Sequence, residues 1–214
     1  IFNNDNLKTT IQAGRFNTDR SAANPDMDKT TADYYAVQFD YAQDKWTGQA
    51  GYYLFKDYFK EKTINLGDKT LSSADFDTDE LSLWNVGLGY KFDDNFKIAG
   101  NYAENTKGEG YNTTGDFTVQ GDESKAYSVE LTYKGYDTKD PGSWDAFVAY
   151  RYLGAMVAIG PVYKGAWTDQ KGIEFGVEFV PAENVLATLK YFDGKDISTD
   201  QDASKFFGQL ELQF

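Results

Sequence analysis

The chain has 214 residues, a formal charge of −13 from 34 acidic and 21 basic residues, and neither cysteine nor histidine. The charge opposes nucleic-acid binding, which needs a basic face, and the missing residues exclude disulfides, zinc sites of the usual kind and Ser-His or Cys-His catalysis. Mean hydropathy is −0.60 and no stretch approaches the ~18 apolar residues of a membrane helix, yet 17% of residues are aromatic.

Strands that are apolar only on alternate positions reconcile a low mean hydropathy with many aromatics. Ile1 to Asn6 reads as a strand end followed by a turn. No starting Met or signal peptide precedes it, so the expectation is a mature product or a fragment lacking its N-terminal part. Ten alternating segments follow. Leu7 to Phe16 carries Leu7, Thr9, Ile11 and Ala13 on one face, with Arg15 on the same parity. That arginine either snorkels at an interface or is flipped inward by a bulge. Tyr34 to Ala42 carries Tyr35, Val37, Phe39 and Tyr41; Trp46 to Phe55 carries Trp46, Ala50, Tyr52 and Leu54. Glu80 to Phe92 carries Trp84, Val86, Leu88, Tyr90 and Phe92; Phe96 to Glu104 carries Phe96, Ile98, Gly100 and Tyr102. Ser124 to Lys134 carries Tyr127, Val129, Leu131 and Tyr133; Ser143 to Tyr152 carries Trp144, Ala146, Val148, Tyr150 and Tyr152. Gly172 to Val180 carries Ile173, Phe175, Val177 and Phe179; Val185 to Phe192 carries Val185, Ala187, Leu189 and Tyr191. The last segment, Ala203 to Phe214, alternates Phe206, Gly208, Leu210, Leu212 and a terminal Phe214.

A period of two with apolar residues on one face marks a strand exposed to two different media. Most of these faces begin or end in an aromatic with aliphatic or small residues between, the girdle and belt of a lipid-facing strand. Trp84, Tyr90, Tyr133, Trp144, Tyr152, Tyr191 and Phe214 are the expected interface aromatics. Connections alternate long and short: Asn17 to Asp33, Lys56 to Asp79, Asn105 to Glu123, Leu153 to Lys171 and Asp193 to Asp202 against brief turns such as Gln43 to Lys45 and Asp93 to Asn95. A transmembrane antiparallel β-barrel sorts its loops this way, and a soluble β-sandwich has no reason to. The expectation is an all-β chain, residues 1–214 forming one transmembrane barrel unit in which ten strands are readable.

The opposite faces supply a lumen wall with both charge signs. Lys97, Glu130, Lys134, Asp145, Arg151, Glu174, Glu178, Lys190, Lys205 and Glu211 are the candidate pore-lining residues, with Arg151 and Lys190 the first choices for a functional role. Opposed charges across a pore orient polar solutes. Small inward residues, Gly51, Gly87, Gly89, Ala99, Ala103, Ala149 and Gly176, fit a wide lumen or one plugged by loops. Leu153 to Lys171 is too apolar to wave in water; it folds into the barrel, meets a neighbouring subunit or packs as a surface loop. Asp75 to Glu80 has acids at alternate positions but lacks the glycine and closing glutamate of an EF-hand, so solvated clustering outweighs calcium binding. Asn112 to Thr114 matches a glycosylation sequon and carries no weight without a eukaryotic secretory route. No metal site, cofactor or catalytic group is expected.

Trp144 to Tyr152, Lys171 to Val185, Lys190 to Gly194 and the terminal Phe207 to Phe214 resemble the C-terminal barrel of the S-layer-homology porins of diderm Firmicutes, the OmpM type. The resemblance implies a homotrimeric porin of about sixteen strands, of which this chain holds the C-terminal part. It also implies a tether domain, which this chain does not contain. The terminal aromatic strand resembles the insertion signal read by the outer-membrane barrel machinery. The expected role is passive diffusion of ions and small hydrophilic solutes through a water-filled lumen, with outer-membrane lipid and lipopolysaccharide around it. The alternative is a structural barrel that anchors the outer membrane to the cell wall.

Overall fold

A computed structural model describes residues 1–18, 30–57, 63–66, 69–72, 80–107, 121–157 and 165–213. The chain is all-β and antiparallel. Its eleven-stranded sheet runs through β1 (Phe2–Asn3), β2 (Leu7–Thr18), β3 (Thr30–Gln43), β4 (Trp46–Lys56), β7 (Leu81–Lys91), β8 (Phe96–Asn105), β9 (Lys125–Gly135), β10 (Trp144–Leu153), β11 (Gln170–Ala182), β12 (Val185–Asp196) and β13 (Asp202–Leu212), each beside its chain neighbour. β5 (Thr63–Leu66) and β6 (Lys69–Ser72) form a separate hairpin inside the long connection after β4. That hairpin is absent from the alternation pattern, because two four-residue strands carry too few positions to show a period.

Ten long strands therefore stand where ten alternating segments are read. β1 is the strand end expected at Phe2, and Asn4 explains the turn behind it: its side-chain oxygen accepts the backbone N–H of Leu7 at 2.9 Å. The brief turns are set by the same chemistry. Asp44 and Asn184 take left-handed φ values of 52° and 60°, which short polar side chains tolerate. In the turn before β8, one oxygen of Asp93 accepts N–H bonds from Asn95 and Phe96, both at 2.8 Å. Those two bonds hold the Asp93 carboxyl below its ordinary value. A carboxyl with a lowered folded pKa stabilises the fold above its unfolded pKa of about 3.9 and loses that contribution as pH falls through the folded value. Asp93→Asn is expected to flatten the acid limb of a stability-against-pH profile by lowering stability at neutral pH toward its acid value. An acid limb identical to that of the unaltered protein would contradict this role.

Register decides the faces. Leu7 pairs with Tyr41, Tyr52 with Trp84, Val86 with Tyr102, Leu131 with Val148, Val148 with Phe175, Val177 with Leu189 and Tyr191 with Phe206. Cross-strand partners share a face, so the apolar alternation of ten segments merges into one continuous outer face. Arg15 stays in step on that face. β2 pairs with β3 without interruption, and Arg15 Nε lies 2.7 Å from Asp33 Oδ1 on the neighbouring strand. The bulge alternative for Arg15 is thereby corrected: a cross-strand carboxylate at the loop end satisfies it in place. The register break among the described strands falls between Phe179 and Ala182, around Pro181, a residue with no N–H for a ladder bond.

The apolar core is small and lies on the inner face near the loop ends. Phe55 of β4 and Leu81 and Leu83 of β7 pack with Met156 and Val157, which follow β10. Leu153 and Phe192 pack with Ala166, just before β11. The connection between β10 and β11 thus lies on the inner face at both of its described ends. Of the alternatives for this apolar connection, inward folding is the one realised in residues 153–157 and 165–171.

Candidate functional site

The inner wall is layered from the turn ends toward the loop ends. One row near the turns reads Lys134, Asp145, Glu178, Thr188 and Gln209 across β9 to β13. Above it come Lys97, Thr132, Phe147, Gly176, Lys190 and Phe207, then Ala99, Glu130, Ala149, Glu174, Phe192 and Lys205. Arg151 sits one row higher, beside Ser128 and Gly172, and Glu211 lies near the turn end of β13. All ten candidate wall residues are on inner-face positions of the register.

Their surroundings differ more than their positions. Arg151 is 3% exposed, and its Nη2 donates to Glu130 Oε2 at 2.6 Å and to Glu174 Oε1 at 3.1 Å. It does not offer a free cation to a lumen. Glu174 is fully buried, and its other oxygen accepts the backbone N–H of Ala166 at 3.0 Å. The Arg151–Glu174 pair is therefore a fastening for the inward connection. The first-choice role for Arg151 as a pore-facing charge is corrected, because two carboxylates on the adjoining strands enclose its guanidinium.

Lys134 is corrected as well. Its backbone takes a φ of 64°, and its ammonium lies 4.5 Å from the Trp144 ring centre rather than beside Asp145. Asp145 is left buried, opposite Glu178 on β11. Lys190 lies 5.0 Å over the Phe147 ring and Lys205 lies 4.2 Å over the exposed Trp167 ring. These two lysines keep cation–π contacts while remaining partly accessible. Lys97 is exposed, and Glu178 and Glu211 are half-buried. Glu178 accepts a long bond from Thr188 Oγ1 at 3.5 Å.

The glycines of the wall do not widen it by leaving holes. A Cβ on Gly176 would collide with the Phe147 ring, one on Gly51 with the Tyr53 side chain, and one on Gly87 with Gln49 and Asn101. Each glycine lets a neighbour's side chain lie flat against the sheet. Near β4, β7 and β8 this leaves a recess of about 240 Å³ lined by Asp40, Gln49, Ala99 and Asn101 among others. Gly176→Ala is expected to lift Phe147 off the wall, with an overpacking cost of about 1–3 kcal/mol. Denaturant titration of the folded protein checks the cost, and an unchanged midpoint would show that Phe147 has other room.

The connection after β10 is held at two places. Ala155 N–H donates to Glu123 Oε2 at 2.9 Å, and Asn105 Nδ2 donates to the Met156 carbonyl at 3.0 Å. Glu123 closes a short 3-10 turn, Gly121–Ser124, and both Glu123 and Asn105 are buried. Glu174 holds the returning arm at Ala166, and Gly165 packs so closely on that carboxylate that a Cβ there would overlap it. Sequence reading named Glu174 but not Glu123 or Asn105, since nothing local distinguishes them from other loop-end polar residues.

On the outer face, Tyr133 and Tyr191 are exposed, and Trp84, Tyr90 and Trp144 are partly so. They stack in cross-strand pairs: Trp46 with Tyr90 at 4.5 Å, Phe96 with Tyr133 at 4.9 Å and Trp84 with Tyr102 at 5.2 Å. Tyr152 keeps the outer parity but is buried, stacked on Tyr127 at 4.8 Å, so its role as an interface aromatic is corrected. Phe214, Asp75 and the Asn112 sequon lie outside the described residues. Among the described residues no three acidic side chains converge on a metal-sized site.

No family model matches the chain. No curated protein matches it. Among solved structures, one described as a copper transporter, OprC, is similar at 14% identity with a TM-score of 0.43. That likeness covers 86% of this chain and 31% of OprC, so the chain spans under a third of the length of that protein.

Proposed function

We propose that the chain forms the wall of an outer-membrane channel through which ions and small hydrophilic solutes diffuse passively. The observation that carries this reading is the sidedness of the sheet. Side chains such as Ile11, Leu88, Val148, Phe175, Leu189 and Leu210 stand exposed on one face of ten strands, and charged residues such as Glu130, Glu174, Glu178, Lys190 and Lys205 share the other. An apolar face of that extent is incompatible with water, whereas hydrocarbon requires it. Paired Trp and Tyr near the strand ends fit the two lipid–water interfaces. Lipid and lipopolysaccharide are the proposed surroundings. A homotrimer, and insertion by the barrel machinery through the C-terminal strand, belong to the same reading. No catalytic role is assigned, since His and Cys are absent and the buried carboxylates serve the wall.

The inward connection would narrow the passage at the loop end, and the partly accessible Lys97, Glu178, Lys190, Lys205 and Glu211 would act on what enters. A structural barrel with a closed passage is the second reading, favoured by the same connection because its two held ends cover part of the inner wall. Single-channel recording of the detergent-purified native protein in a planar bilayer separates the two. Stepwise ohmic conductance, closing in threes if the protein is trimeric, is expected. Silence from protein shown to be folded would reject diffusion and leave the structural role.

A further inference from the structure

The inner wall changes character across the sheet. From β9 to β13 it is rich in ions such as Glu130, Asp145, Arg151, Glu174 and Lys190. From β3 to β8 one inner row reads Asp40, Gln49, Gly87 and Asn101, each opposite the next on the neighbouring strand. Gly87 puts no side chain between its neighbours. Gln49 and Asn101 therefore meet across β7, where Gln49 Nε2 donates to Asn101 Oδ1 at 3.1 Å. The next row toward the turns is Thr47, Gly89 and Ala99. These small residues leave the recess of about 240 Å³ open beside the amide pair.

The polar groups around this recess are positioned but not saturated. Tyr53 Oη donates to Gln38 Oε1 at 2.9 Å, and Gln38 Nε2 donates to Asp40 Oδ1 at 2.7 Å. That relay orients the Asp40 carboxylate and occupies one of its oxygens. Asp40 Oδ2, Gln49 Oε1, Asn101 Nδ2 and the Thr47 hydroxyl have no partner among the described residues. Exchanging O and N in both amides leaves the same remainder, one carbonyl and one NH₂. Asp40, Gln49 and Asn101 are half-buried and Thr47 is exposed, so a solute in the lumen can reach them. The mixture selects a ligand class. Asp40 is the one charge among the residues lining the recess, and it repels an anion. Lys8 and Lys97 are exposed and lie outside that lining. A hard metal cation gathers about six to eight oxygen ligands and accepts nothing from an NH₂ group. An apolar solute would leave all four polar groups unpaired. A hydroxyl both donates and accepts, so adjacent hydroxyls on one ring can accept from Asn101 and donate to Gln49 and Asp40.

We infer that this recess binds a neutral polyhydroxylated solute of monosaccharide size, held by Asp40, Gln49 and Asn101. The inner wall then has two chemistries: an ionic part on β9 to β13, and a hydrogen-bonding station for uncharged solutes on β3 to β8. The inference deepens the channel reading and rests on it, because the recess must face the solute path. Its small volume suits a single ring rather than a drug-sized ligand.

Saturation-transfer NMR of D-glucose with the folded native protein in detergent tests it. A saturable glucose signal is expected, and glucuronate, a ring of like size with a negative charge, is expected to give little. Asn101→Ala and Asp40→Ala should each weaken glucose binding about 2–10-fold, the loss of one hydrogen bond. Ala99→Leu should abolish it by filling the recess while leaving the polar groups in place. Thiol labelling locates the site without removing any polar group, since the chain has no native cysteine. Glucose is expected to slow labelling of Ala99→Cys and not of Gln12→Cys, which is exposed on the inner side of β2 away from the recess. No saturable glucose signal, equal binding of glucuronate, or an unprotected Ala99→Cys would each overturn the inference. Conductance is read separately. Silent protein that binds glucose in the recess would reject the channel and keep the site, and conducting protein without a glucose signal would do the reverse.

Discussion

Arg151→Ala is expected to destabilise the folded protein by about 3–5 kcal/mol, because it strands the buried carboxylate of Glu174 without its cation. Glu174 is wholly enclosed and bonds Arg151 on one oxygen and the Ala166 N–H on the other. Removing the guanidinium leaves the charge of the fully buried Glu174 without its cation, and Glu130 loses its 2.6 Å partner. Arg151→Met combined with Glu174→Leu and Glu130→Gln should recover most of the loss, since replacing a buried ionic group by apolar residues of similar size is often neutral or stabilising. Urea unfolding in detergent measures both. If Arg151→Ala loses under 1 kcal/mol, comparable to an exposed ion pair of roughly 0–1 kcal/mol, the cluster is solvated and does not fasten the connection.

Val148→Arg is expected to have the second large effect. Val148 sits mid-strand on β10, flanked on the outer face by Leu131 of β9 and Phe175 of β11. In a bilayer, an arginine at that depth costs about 2–4 kcal/mol. On the surface of a water-soluble sheet the same change would fall within about 0.5 kcal/mol. Folding into lipid vesicles against urea reads the difference directly. A loss that small would mean that water bathes this face, and the membrane reading would fall with it. Glu178→Arg on the inner wall supplies the contrast, since both faces are probed on neighbouring strands with the same residue introduced.

The contrast between faces shows what could be read from the sequence. The alternation of residues such as Leu131 and Val148 is local, so each segment carries its own period, and the merged outer face followed once strands paired in chain order. The loop sorting was readable for the same reason. The fate of Arg151 was not. Its partners lie 21 and 23 residues away, and only the register of β9, β10 and β11 brings them together. Parity places a charge on the inner side without saying whether a neighbour already neutralises it. Lys134 escaped by another route, since a single left-handed φ turns its side chain onto Trp144 while its position stays inner. The wall glycines misled because a missing side chain reads as space, whereas in the folded sheet a neighbouring ring or amide lies across it.

The connection between β10 and β11 is fastened by two independent sets of groups: Glu123 and Asn105 hold Ala155 and Met156, and Glu174 holds Ala166. Neither set needs the other to keep its grip. The covalent path between the two arms is therefore dispensable for placing them, which makes the stretch 158–164 a natural site for new chain termini. A permuted protein opened there and joined elsewhere would carry each arm to its own anchor, and the narrowing of the inner wall would survive the cut.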